Sequence, residues 1–281
     1  MMKKIILPTD FSSNSRNAIE YATQLFHDEP CEFILLNTFG ADSYTTSNLM
    51  VLESGNPVYD AALVKSQKRL KGLYDILSAS KVNKDHHFEM KSAYNFLIHA
   101  IKELIAKNDI YMVIMGTKGA TGAKEVWFGS NAVSVMENIQ QCPVLAVPEN
   151  AKPKVPREIV FPNSFKHLYR RRRLLPLLEM AKKYDSKIRI MHISEKDELS
   201  EDQLNHKEAF SEALEGITHS FHTLTNIDTE TAVRCFVESR EIDMIAMISK
   251  KHSFLKTLFK KPVLREVGYH TRVPMLVMHR S

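Results

Sequence analysis

Residues 112–148 read MVIMGTKGATGAKEVWFGSNAVSVMENIQQCPVLAVP, and they limit the fold more tightly than any other stretch. Met112 to Met115 is an apolar run stopped at once by Gly116, the pattern of a short buried strand. Four of the chain's nine glycines, Gly116, Gly119, Gly122 and Gly129, then fall in one loop, so that loop is suited to unusual backbone or close approach rather than to packing. Residues 132–139 follow with helical spacing. Gln141-Cys142-Pro143 ends that helix, and residues 144–147 form a second buried strand closed by Pro148. Strand, glycine loop, helix, strand is the building unit of a parallel α/β sheet.

Such a loop suits anion binding. Glycines let a ligand approach the main chain with no Cβ in the way, and they permit φ > 0. The helix beyond it offers unpaired N–H groups and the positive end of its dipole to a phosphate. Ser130 and Asn131 add short side chains that can cap the helix or bind a phosphate oxygen. The spacing is neither G-x-x-x-x-G-K-[ST] nor G-x-G-x-x-G; it is G-x2-G-x9-G-S, fixed by Gly116, Gly119, Gly129 and Ser130.

That spacing resembles the ATP-binding motif of the universal stress protein family. The start Ile5-Ile6-Leu7-Pro8-Thr9-Asp10-Phe11-Ser12 is similar to the family's first strand and P-T-D-x-S turn, and residues 142–148 to its final strand. The resemblance implies a doubly wound, adenine nucleotide alpha hydrolase-like fold and ATP as ligand, with Mg2+ as a companion ion. By the same resemblance Met115, Gly116, Gly119, Gly129, Ser130 and Asn131 lie around the phosphates. Asp10, after Pro8 and Thr9, reaches the ribose or a phosphate-bound metal, and Thr38 faces adenine through its backbone. Lys118 and Lys124 can neutralise phosphate charge or simply be solvated loop residues.

Reading from the start, residues 3–7 are a strand. The helix after it has Ala18, Ile19, Ala22 and Leu25 at helical spacing, and residues 31–37 are a second buried strand. A polar segment, 40–57, reads as a long loop or lid. Residues 61–77 form an amphipathic helix, 86–90 a strand and 95–106 a helix. In a parallel sheet of this order, ligands bind beyond the carboxyl ends of the strands where the strand order switches. Asp10 and Gly116 both belong to that edge.

Residues 149–156 (ENAKPKVP) read as a linker, and then the pattern begins again. Residues 157–165 mirror 4–11, 187–193 mirror 32–38, 241–248 mirror 109–116, and 272–278 mirror 141–147. The second copy lacks the glycines, with Ile248-Ser249-Lys250-Lys251 and Lys260-Lys261 in their places, and Asp10 corresponds to Asn163 or Ser164. Loss of nucleotide binding is expected there. The expectation is therefore two tandem doubly wound α/β domains packed against each other, residues 1–150 with the intact loop and residues 151–281 degenerate.

The length of 281 residues suits two domains, and the 44% hydrophobic and 25% charged composition is that of a globular protein. Cys31, Cys142 and Cys235 are far apart and form no metal or disulfide pattern, which fits a reducing cytoplasm. MMKKIILP has too short an apolar core for a signal peptide, and no window reaches a membrane span. The twelve histidines show no H-E-x-x-H pattern, and no G-x-S-x-G elbow supports a hydrolase. Trp127-Phe128 reads as a packing anchor. The run Arg170 to Arg173 reads as a solvated helix face, with an anion, RNA or acidic-partner patch as the other option. No general base or arginine finger stands near the loop, so no enzyme is expected. Two readings stay open: a non-catalytic, nucleotide-responsive regulator in stress response, and a non-catalytic interaction module with a vestigial site. A regulatory protein partner and a homodimer belong to either, and nucleic acid is a minor option.

Overall fold

A computed structural model of the chain describes residues 2–40, 56–80, 82–118, 128–194, 198–249 and 273–279. Gly119, Gly122, Lys124 and Trp127, most of the polar segment, and Lys250, Lys251, Lys260 and Lys261 lie outside these residues. The chain divides into two compact units, Met1–Pro153 and Lys154–Ser281.

The first unit runs β1 (Lys3–Pro8), α1 (Ser13–Leu25), β2 (Cys31–Thr38), α2 (Pro57–Ser80), β3 (His86–Ala93), α3 (Leu97–Lys107), β4 (Ile110–Gly116), α4 (Ser130–Asn138) and β5 (Val144–Val147). Its strands lie in the order β3-β2-β1-β4-β5, with each neighbouring pair parallel. Ile5, Ile6, Leu7, Phe33, Ile34 and Leu35 are wholly buried. Strands covered by helices on both faces need apolar side chains on both, which is why they read as continuous runs. The order turns back at β1: β2 and β3 extend to one side, β4 and β5 to the other. The switch point therefore lies between the carboxyl ends of β1 and β4.

The second unit runs β6 (Glu158–Pro162), α5 (Arg171–Tyr184), β7 (Lys187–Ser194), α6 (Glu201–Ala213), β8 (His219–Thr225), α7 (Thr229–Ser239), β9 (Met244–Ser249) and β10 (Met275–His279). Its order, β10-β9-β6-β7-β8, is again all parallel and repeats the topology of the first.

Element boundaries differ from the sequence reading where local chemistry decides them. α2 begins at Pro57 rather than residue 61 because Asn56 caps it, its Oδ1 accepting from Val58 N at 2.9 Å, and proline suits a first helical position. α4 begins at Ser130, not 132. β3 continues to Ala93, and its half-exposed pattern is that of an edge strand. Among the described residues, no helix is long and apolar enough to cross a membrane.

Candidate functional site

The carboxyl edge of the first sheet is tied together by short polar side chains. Ser12 caps α1, its side chain accepting from Ser15 N, and its own N and Oγ donate to Asp10 Oδ1 at 3.0 and 2.6 Å. Asp10 is thus held at the start of α1, half-buried. Thr9 is 5% exposed; its Oγ1 accepts from Phe11 N at 3.0 Å and lies 3.0 Å from Ser15 Oγ. Those bonds hold Phe11 at a φ of 65°. Pro8 is the last residue of β1, opposite Leu36 of β2.

Asn14 ties two strand ends together, and the sequence reading passed over it. Its Nδ2 donates to Val147 O at 3.0 Å and its Oδ1 accepts from Lys118 N at 2.6 Å. One buried side chain on α1 therefore binds the tips of β4 and β5. Gly116 is the partner of this arrangement. A Cβ there would stand 2.7 Å from Asn14 Oδ1 and 2.8 Å from its Cγ, so the glycine serves close approach. Gly116 is not among the glycines with positive φ, and Gly129 has φ −66° and ψ 157°. At these two positions the expected use of φ > 0 is corrected: ordinary backbone suffices.

The loop is pinched at its neck. Thr117, 1% exposed, donates its N–H to Val147 O at 3.1 Å, and Gly129 N donates to Thr117 O at 2.7 Å. α4 then starts with no side-chain cap bond from Gly129. The first N–H groups of a helix have no acceptor within the helix, and here exposed Ser130 and Asn131 supply them. Lys118 is half-buried with its amide already given to Asn14. Met115 is a core residue in register with Ala146. Phe128, 4% exposed, is the packing anchor expected of it.

Thr38 ends β2 opposite Ala93. Asn37 before it donates Nδ2 to Thr9 O at 2.7 Å and accepts from Ser66 Oγ at 2.7 Å. Beyond Thr38, Phe39, Tyr59 and Tyr94 pack with ring centroids 5.3 to 5.8 Å apart. Gly40 lies so close beneath Tyr94 that a Cβ would stand 2.1 Å from its ring. A polar residue near the end of an apolar strand was the available signal for Asn37. The aromatic trio comes from three separate elements and leaves none.

The sequence model of the universal stress protein family matches residues 1–148. The chain belongs to the universal stress protein family. Among solved structures, a universal stress protein from Archaeoglobus fulgidus DSM 4304 is 18% identical with a TM-score of 0.68, covering 99% of this chain and 98% of that one. A putative universal stress protein from Pseudomonas aeruginosa UCBPP-PA14 is 11% identical with a TM-score of 0.60, covering 99% and 93%. At such identities the likeness is one of fold. No curated protein matches the chain.

The second unit shows how a universal stress protein fold keeps its strands while its edge changes. Phe165 N donates to Asn163 Oδ1 at 2.9 Å and Phe165 has a φ of 53°, as Phe11 does over Thr9. Asn163 therefore stands for Thr9 and Ser164 for Asp10. Aligning the buried Leu177, Leu178 and Ala181 of α5 with Ala18, Ile19 and Ala22 of α1 brings Leu174 to Ser15 and Arg173 to Asn14. The polar partners are gone, and Asn163 Nδ2, Arg173 Nε, His192 Nε2 and His279 Nε2 are buried without hydrogen bonds. The arginine run is correspondingly not a uniform solvated face: Arg171 donates to Ala213 O at 2.7 Å, and Arg173 turns its Nε inward. Burial pushes the His279 imidazole down to about 4.

Proposed function

We propose that the first unit binds ATP, with Mg2+ on its phosphates, and that the chain acts as a non-catalytic, nucleotide-responsive regulator in stress response. The observation that carries this reading is the start of α4, which Gly129 leaves without a side-chain cap. It lies directly after the neck Thr117–Gly129, at the carboxyl end of β4 beside the strand-order switch. A helix N-terminus at such a point favours a phosphate through oriented N–H groups and the dipole.

In this reading Gly129, Ser130 and Asn131 receive the phosphates, and Gly119 belongs to the same motif by its spacing. Lys118 offers its ammonium, since its amide is already engaged. Asp10, fixed by Ser12, faces the ribose or the metal, while Thr38 meets the base at the end of β2. Occupancy would favour one conformation of the loop, and that difference is what a protein partner would sense. The competing reading, an interaction module with a vestigial site, draws on one observation: the neck is already closed by bonds within the protein.

Thermal unfolding with and without nucleotide separates the two. ATP at a hundred times its dissociation constant should stabilise the first unit by about 2.7 kcal/mol. An unchanged unfolding curve at millimolar ATP would leave the interaction module as the better account.

A further inference from the structure

A cleft of about 560 Å³ lies between α1 and α2 of the first unit. Its origin is visible in the packing. α1 lies mainly over β4 and β5, whereas α2 lies over β3 and β2. The two helices thus cover different strands, and Phe11 lines the space left between them. Both run from the carboxyl edge of the sheet to the opposite edge, so their facing residues descend in step. Arg16 and Arg69 are at the head, Ile19, Leu73 and Ile76 in the middle, and Ser80 and Val82 at the foot. From Arg69 to Ser80 the helix rises roughly 16 Å.

Gly72 makes the cleft deeper. It is inside α2, where glycine costs about 1 kcal/mol relative to alanine, and nothing lies within 4 Å of where its Cβ would be. No close packing requires a glycine there; its effect is to keep the wall of the cleft open. Ile76, 67% exposed, presents an apolar side chain to the same space. At the head, the Arg69 guanidinium lies 4.1 Å from the centroid of the Phe11 ring. One acidic side chain, Glu20, also lines the cleft, against the two guanidiniums of Arg16 and Arg69.

We propose that this cleft binds a single-chain amphiphile with an anionic head, a long-chain carboxylate. The carboxylate would sit between Arg16 and Arg69, where a guanidinium fork matches its two oxygens. The hydrocarbon would lie along Ile19, Gly72, Leu73, Ile76 and Leu77. The volume is in the range of small-molecule sites, and so is an apolar lining with a few convergent polar groups. The inference rests on the α1–α2 packing alone and stands apart from nucleotide binding.

The test is calorimetric titration of the full chain with dodecanoate and with dodecanol, both below their aggregation limits. Dodecanoate should bind one per chain, and dodecanol about tenfold more weakly or worse for want of the charged pair. The double variant Arg16→Gln, Arg69→Gln should reduce dodecanoate to the affinity of the alcohol. Gly72→Leu should abolish binding of both while its unfolding temperature stays at or above the native value. Equal binding of alcohol and carboxylate overturns the proposal, as does unchanged binding by folded Gly72→Leu. No binding of either probe by the folded native chain also overturns it.

Discussion

Asn14 and Gly116 act as one device. The amide of Asn14 reaches both strand tips because Gly116 has no Cβ to obstruct it. Asn14→Ala should cost about 1–3 kcal/mol, since it leaves Lys118 N–H without its acceptor and Val147 C=O with the Thr117 N–H alone. Gly116→Ala should cost about as much by forcing α1 away from β4, and chemical denaturation of both variants checks this. His279 makes a second residue-scale prediction. Its pKa falls from 6.5 to about 4 on folding, so the unfolded chain takes up a proton that the native chain refuses. Stability is full above pH 6.5 and is lost as pH falls toward 4, by up to about 3 kcal/mol. His279→Phe should flatten the stability curve over that window. Cys142 is pushed up to about 12 by burial, while Cys235 is exposed. Alkylation of the native chain should therefore label Cys235 and spare Cys142.

Elements were the most legible level in the sequence, because strands buried on both faces must be continuously apolar. Residues 3–7, 31–37 and 112–115 announced β1, β2 and β4 in that way. What escaped was set by polar side chains acting across elements. Asn56 reaching Val58 moved the start of α2, and Asn14 lay within a polar run that gave no reason to single it out. The site was legible as motif rather than geometry: Gly116 and Gly129 stood out by spacing, but their reasons differ from the expected one. At this scale Ser12 is the informative probe, because it caps α1 and holds Asp10 at once. Ser12→Ala should lower stability by about 1 kcal/mol, and it should also weaken any ligand that depends on the orientation of Asp10. A binding titration beside a denaturation curve distinguishes those effects.

For the molecule as a whole, the two units repeat one topology with unequal edges. The first satisfies its buried polar atoms through Thr9, Asn14, Asn37 and Ser66. The second places Asn163, Arg173 and His192 at corresponding points and leaves a nitrogen of each unpaired. Under the proposed function nucleotide belongs to the first unit alone, and the most direct test is an ATP titration by calorimetry with Mg2+. The native chain is compared with Gly129→Val. Valine suits the φ of −66° and ψ of 157° at that position, so the variant should fold while its branched side chain crowds the N–H groups of α4. The predicted result is micromolar binding of one ATP per chain, weakened at least tenfold in the variant. No binding by the folded native chain, or equal binding by the folded variant, would contradict the account.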